Sequence, residues 1–115
     1  MTFNDIFKPR VNVICRTREE SDEFLRWLDT FGVLWNSGTI ASSSMDDFGI
    51  YGDRGMRYVF DYKTDGIVTR TKELRLYRGS VDSTLDGDVT IAFNDLDLSI
   101  NEREAQTELI MELYI

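Results

Sequence analysis

The stretch TREESDEFLRWLDTFG, residues 17–32, constrains the fold most, because it carries both a helix start and a helix stop. Thr17 has the hydroxyl that can accept from the third amide of a helix, and Glu20, three residues on, can reach back with its carboxylate; together they make a capping box. Glu19, Glu20, Asp22 and Glu23 crowd the positive end of the helix dipole. Phe24, Leu25, Leu28 and Phe31 recur at three- and four-residue spacing and form one apolar stripe. Gly32 supplies the left-handed residue that ends the helix. An amphipathic helix of this kind needs a second layer to cover its stripe, and the remaining sequence must supply that layer.

Strand signals surround the helix. VNVIC, residues 11–15, follows Pro9 and alternates before Ile14 and Cys15. After Gly32, VLW (33–35) is expected to run as a short extended segment on the core edge, and NSG then turns the chain. Residues 41–55 are punctuated by glycine and small residues and are expected to be the least ordered part. MRYVFDY (56–62) is rich in β-branched and aromatic residues. KTDG, with Asp65-Gly66, predicts a hairpin into GIVTRTKELRLYRGS (66–80). A turn near 79–87 leads to DVTIAFNDL (88–96), where Val89, Ile91 and Phe93 alternate. SINEREAQTELIMELYI closes the chain with caps at Ser99 or Asn101 and a stripe of Ala105, Leu109, Ile110 and Leu113, which predicts a helix to about residue 112. The expected architecture is one α+β domain over residues 1–115, a mainly antiparallel sheet of four to five strands with two helices on one face. Its expected core holds Phe24, Leu28, Phe31, Trp35, Val59, Leu76, Ile91, Phe93 and Leu109.

Few reagents are present for chemistry. The chain has no histidine, which removes the usual base near neutral pH and the commonest transition-metal ligand. Cys15 is the single cysteine, so no intrachain disulfide forms, and it ends a strand just ahead of a helix, where a thiolate would be stabilised. A cysteine-type phosphatase would need an arginine six positions later; that position is Ser21, and Cys15 is expected to be a buried small thiol. Gly49, Gly52 and Gly55 lie at intervals of three, unlike a dinucleotide fingerprint or a phosphate loop. Asp82, Asp86 and Asp88 lack the alternate-oxygen pattern of a calcium loop. No enzymatic activity, cofactor or metal is expected. No apolar run approaches the roughly 18 residues of a membrane span, and nothing at the N-terminus resembles a secretion signal, so a cytoplasmic protein is expected.

Charge is distributed unevenly. Residues 81–115 hold nine acids against Arg103 alone, so the whole net charge of −8 resides in the last 35 residues. That imbalance opposes direct nucleic-acid binding, which needs Lys and Arg against phosphate. It suits a basic protein surface instead. Candidate contacts are Asp86, Asp88, Asp95, Asp97, Glu104, Glu108 and Glu112. In the glycine-punctuated loop, Tyr51 and Arg54 are of residue types favoured at binding hot spots.

The strand, the Glu-rich capped helix, Gly32-x-x-Trp35-x-x-Gly38 and the later Ile91, Phe93, Asp95 and Leu96 resemble small proteins encoded in bacteriophages and prophages. The likeness covers residues 11–38 and 89–96, and the acidic end of the chain departs from it. It implies that Trp35 is a packing residue. It also implies an anti-CRISPR-like binding protein that occupies a basic nucleic-acid channel on a host defence or replication enzyme. The alternatives are an accessory protein that forms a homodimer along a strand edge, and a small-nucleotide binder near Arg54, Arg57, Arg70, Arg75 and Arg78.

Overall fold

The computed structural model describes residues 3–63 and 73–99. In chain order it contains α1 (Phe3–Ile6), β1 (Val11–Cys15), α2 (Arg18–Thr30), a 3-10 segment (Ala41–Asp47), β2 (Met56–Tyr62), β3 (Leu74–Gly79), β4 (Val89–Ala92) and a 3-10 turn (Phe93–Asp95). The strands form one sheet in the order β3-β2-β1-β4. β1 pairs antiparallel with β2 from Val11↔Phe60 to Cys15↔Met56, and β2 pairs antiparallel with β3 from Arg57↔Gly79 to Tyr62↔Leu74. β4 pairs parallel with β1, from Val11↔Val89 to Ile14↔Ala92, so the sheet is mixed. Among the described residues the architecture is α+β, with two helices and four strands.

Both ends of α2 follow from its sequence. The Thr17 hydroxyl accepts from the Glu20 N–H at 3.2 Å. The Glu20 carboxylate closes the box one residue upstream of the usual place, accepting from the Arg16 N–H at 3.0 Å. At the other end, Gly32 takes φ +72°, its N–H bonds the Asp29 carbonyl at 3.1 Å, and the Val33 N–H bonds the Leu28 carbonyl at 3.3 Å. These are the two bonds of a Schellman stop.

The helix buries Ser21, Phe24, Leu25, Trp27 and Leu28. Opposite them, the side chains of Val11, Val13, Cys15, Met56, Tyr58, Phe60 and Leu76 make one apolar sheet face. Aromatic rings knit the two layers: Phe24 lies 5.4 Å from Tyr58 and 6.4 Å from Phe60 between centroids. Phe7, just past α1, reaches Phe31 at 5.0 Å, Phe60 at 5.2 Å and Trp27 at 5.7 Å. Each such pair adds roughly 0.5–1.5 kcal/mol beyond the burial of its area. α1 was not expected from sequence; Ile6, fully buried, is what attaches it to the core. The expected C-terminal helix and Leu109 lie outside the described residues, as does the KTDG turn from Thr64 onward.

Trp35 packs as expected. Leu34 and Trp35 run beside β3 as an extra extended segment, bridging Leu76 in parallel and Ile40 in antiparallel fashion. The indole N–H donates to the Ala41 carbonyl at 3.0 Å, and Tyr58 lies 6.1 Å away. This single polar bond is what lets the indole be buried.

Several expectations need correction. Phe93 does not continue the strand: β4 ends at Ala92, and Phe93 opens a 3-10 turn that keeps it half-buried against the core. Val59 lies on the opposite sheet face from Tyr58 and Phe60 and is half-buried there. Residues 41–47 are not irregular loop but 3-10 helix packed on α2, where the Asp29 carboxylate accepts from the Ser42 N–H at 3.1 Å.

Candidate functional site: the acidic β4 edge

The second face of the sheet is polar, and it is organised around Asn12. Alternation along β1 turns Asn12 away from α2, yet it is fully buried. Its amide donates to the Asp88 carboxylate at 3.1 Å and its oxygen accepts from the Arg57 guanidinium at 2.7 Å. Asp88 in turn accepts from Arg10 at 2.9 Å and from the Leu85 N–H at 3.1 Å. Arg10 reaches this position from a backbone with φ +68°, and its second arm donates to the Asp86 carbonyl at 2.6 Å. The network staples the 85–88 turn to β1 and thereby positions β4 at the sheet edge.

Asp88 is therefore spent internally. Its side chain is only 6% exposed. The Leu85 amide first, then Asn12 and Arg10, hold its carboxyl below the usual carboxylate range, against the opposing effect of burial. A folded-state value below the unfolded value of about 3.9 means that Asp88 contributes stability above that pH and loses it as the pH falls through the folded value. Asp88→Asn is expected to lower the denaturant midpoint at pH 7, and the gap from the parent chain should narrow as the pH is lowered from 7 through about 4 and below. A gap that stays constant over that range would remove Asp88 from the acid response.

The other candidate acids lie differently. Asp86, Asp95 and Asp97 are exposed, and none of them forms an ion pair among the described residues. Asp97 is capped by Ser99, whose hydroxyl and N–H both donate to it and lower its pKa. Between Gly79 and Ser99 the sequence has five acids and no Lys or Arg. Two of the five are answered from elsewhere, Asp88 by Arg10 and Asp82 by Arg54 at 2.9 Å. In the same stretch, Leu85 and Val89 are 71% and 54% exposed. Among the described residues, β4 is the outermost strand on its side of the sheet and pairs only with β1. The resulting surface is an edge strand with exposed apolar side chains and unneutralised carboxylates. Glu104, Glu108 and Glu112 lie outside the described residues.

Tyr51 and Arg54 do not stand apart as a free loop tip. Arg54 pairs with Asp82 through both carboxylate oxygens, which ties the 49–55 loop to the turn before β4. Tyr51, 43% exposed, lies within electrostatic reach of Arg78, whose guanidinium is held chiefly by Asp47. Cys15 is fully buried, and burial, aided by the Glu20 charge, pushes its thiol far up; it is no nucleophile at neutral pH. Desolvation under α2 pushes the Tyr58 hydroxyl up to about 12, against the lowering effect of its hydrogen bond with Ser21. No group of three or more metal-ligating side chains gathers among the described residues, and no helix there is long and apolar enough to cross a membrane.

Sequence reasoning missed the Asn12 network. An asparagine in an alternating strand ordinarily reads as solvent-facing, and nothing local to VNVIC indicates that an arginine and an aspartate from 45 and 76 residues away will cover it. The chain gives no match to family models, to curated proteins or to solved structures.

Proposed function

We propose that this chain is a non-enzymatic binding protein that lays its acidic C-terminal third, led by the β4 edge, against a basic surface on a host nucleic-acid-processing enzyme. In kind it is a phage-type, anti-CRISPR-like inhibitor. The observation that carries this reading is the run from Gly79 to Ser99, which has no Lys or Arg and in which Asp86, Asp95 and Asp97 are exposed, as are Leu85 and Val89. Carboxylates at a strand edge can take the place of phosphates before the partner's Lys and Arg, and the apolar pair provides area to exclude water. Long-range attraction would speed association and weaken with salt. Contact with nucleic acid itself is not expected.

Homodimerisation through β4 is the second reading, since an unpaired edge strand is a template for another strand. Self-pairing would bring like charges together, which favours a basic partner over a copy of the same chain. The arginines suggested for a nucleotide do not converge: Arg54 pairs with Asp82, Arg75 with Glu73, and Arg78 with Asp47, while Arg57 faces the opposite side of the sheet from Arg78. Arg70 lies outside the described residues.

The test is the triple variant Asp86→Asn, Asp95→Asn, Asp97→Asn against an identified partner over a range of salt. Exposed pairs are worth about 0.2–1 kcal/mol each, so the three together should weaken binding roughly 3- to 150-fold and flatten the salt slope. The companion set Glu104→Gln, Glu108→Gln, Glu112→Gln extends the test along the rest of the acidic third. Unchanged affinity and unchanged slope in both sets would sink the proposal, and salt-stabilised dimers by sedimentation would favour the second reading.

A further inference from the structure

We propose that the cleft at the outer edge of β3 takes an extended peptide segment of another protein, which adds as a strand at Arg78. This surface is separate from the β4 edge and does not depend on the acidic residues there.

Backbone groups along β3 point alternately toward β2 and outward. Glu73 accepts from the Lys63 N–H at 2.8 Å, so by alternation residues 73, 75, 77 and 79 bond across to β2 while 74, 76 and 78 face outward. Leu76 obeys this: its N–H bonds the Leu34 carbonyl at 2.9 Å and its carbonyl accepts from the Asn36 N–H at 3.2 Å. Had the chain run on past Asn36, it would have paired with Arg78 next. Instead it reverses, with the Gly38 N–H on the Trp35 carbonyl at 2.8 Å and the Trp35 N–H on the Thr39 carbonyl at 2.9 Å. The Arg78 N–H and C=O therefore face the space the reversal leaves. That space is a cleft of about 540 Å³, with Ser43, Ser44 and Asp47 on its far wall.

The cleft is held open by its own side chains. The Arg78 guanidinium binds Asp47 at 2.6 Å and lies 5.8 Å over the Trp35 ring. Tyr77 donates to the Asn36 side chain at 2.8 Å and braces the turn from the other sheet face.

The chemistry of the walls selects the occupant. Arg78 and Asp47 neutralise each other, so the cleft has no surplus charge for a phosphate. Trp35 is 8% exposed beneath Arg78, so its ring face is not open for a base or sugar to stack on, and Tyr77 directs its ring to the other sheet face. What remains is one outward N–H and C=O on a strand edge, with Ser37, Thr39, Ser43 and Ser44 around it. A peptide main chain supplies the complementary donor and acceptor at strand spacing, and small polar side chains suit the hydroxyl walls.

The experiment tethers a probe in the cleft. Ser43→Cys puts a thiol on the exposed far wall, and fully buried Cys15 stays out of exchange. The probe is a capped peptide of alternating threonine and serine ending in cysteine, offered as its mixed disulfide with mercaptoethanol under partly reducing conditions. Its partner probe has N-methylated amides and so lacks the donors. The tethered fraction should favour the ordinary peptide by about fivefold or more, the effect of roughly one lost hydrogen bond, and exchange of the Arg78 amide hydrogen should slow in the adduct. A thiol at Ser83, on the opposite sheet face, should show no such preference. Equal labelling by the two peptides, or an Arg78 amide that exchanges as fast in the adduct as before, would overturn the proposal. Blocking of the labelling by free uridine or maltose, without a preference between peptides, would mark a small-molecule cleft and overturn it equally.

Discussion

Phe24→Ala is expected to cost about 3–5 kcal/mol of unfolding free energy, the usual range for emptying a fully buried phenylalanine site. Phe24 is completely buried in the middle of α2 and lies within aromatic contact of Trp27, Tyr58 and Phe60. Its ring is thus the point where the helix meets β2, with Trp27 of the same helix packed beside it. The neighbours cannot collapse into the gap, because each is fixed by a further partner: Tyr58 by Ser21, and Phe60 by Phe7 and its strand. Against a typical total of about 5–15 kcal/mol, such a loss leaves the variant marginal or unfolded. Chemical denaturation checks it, with Phe31→Ala as the comparison; Phe31 is only half-buried and should cost clearly less. Equal losses at the two positions would mean that α2 is not anchored through Phe24.

The second large effect is expected at Gly55. Here φ is +110°, and a Cβ would sit 2.2 Å from the Cys15 carbonyl oxygen and 2.9 Å from the Arg16 Cα. Both obstacles are backbone, at the junction where β1 hands over to α2, and cannot rotate aside. Gly55→Ala therefore adds displacement of the β1–α2 junction to the strain of a left-handed residue, together about 2–5 kcal/mol. Gly52 isolates the two contributions. It has φ +106° with open space around its Cβ position, so Gly52→Ala should cost only the backbone strain, about 1–3 kcal/mol. If the two alanine variants unfold at the same denaturant concentration, the close approach of Gly55 to Cys15 is not what the fold requires.

The same two positions illustrate how far the sequence reaches. The glycines of 49–55 were legible as a break in periodicity, but their spacing carries no sign that Gly55 alone touches another element. The candidate surface divides in a similar way. The concentration of acids after residue 80 is a property of the sequence, and so is the absence of histidine that narrows the chemistry. That Asp88 is consumed by Asn12 and Arg10, while Asp86, Asp95 and Asp97 stay exposed, depends on contacts across 76 to 78 residues of chain.

By itself, the sequence determined the elements whose causes are local. α2 begins at Thr17 and stops at Gly32 because both caps act within one turn of the helix, and β1 and β2 are strands because their alternation and branched or aromatic residues act over a few positions. It also determined that Trp35 packs, since a large indole between two turns has little else to do. Only the tertiary structure decided that β4 returns parallel to β1, that Ile6 and Phe7 close the core beyond α1, that Phe93 leaves the strand, and that the back of the sheet is sealed by Asn12, Arg57 and Asp88. Those outcomes come from partners distant along the chain, and their choice is made by packing and hydrogen-bond satisfaction, neither of which leaves a local signature.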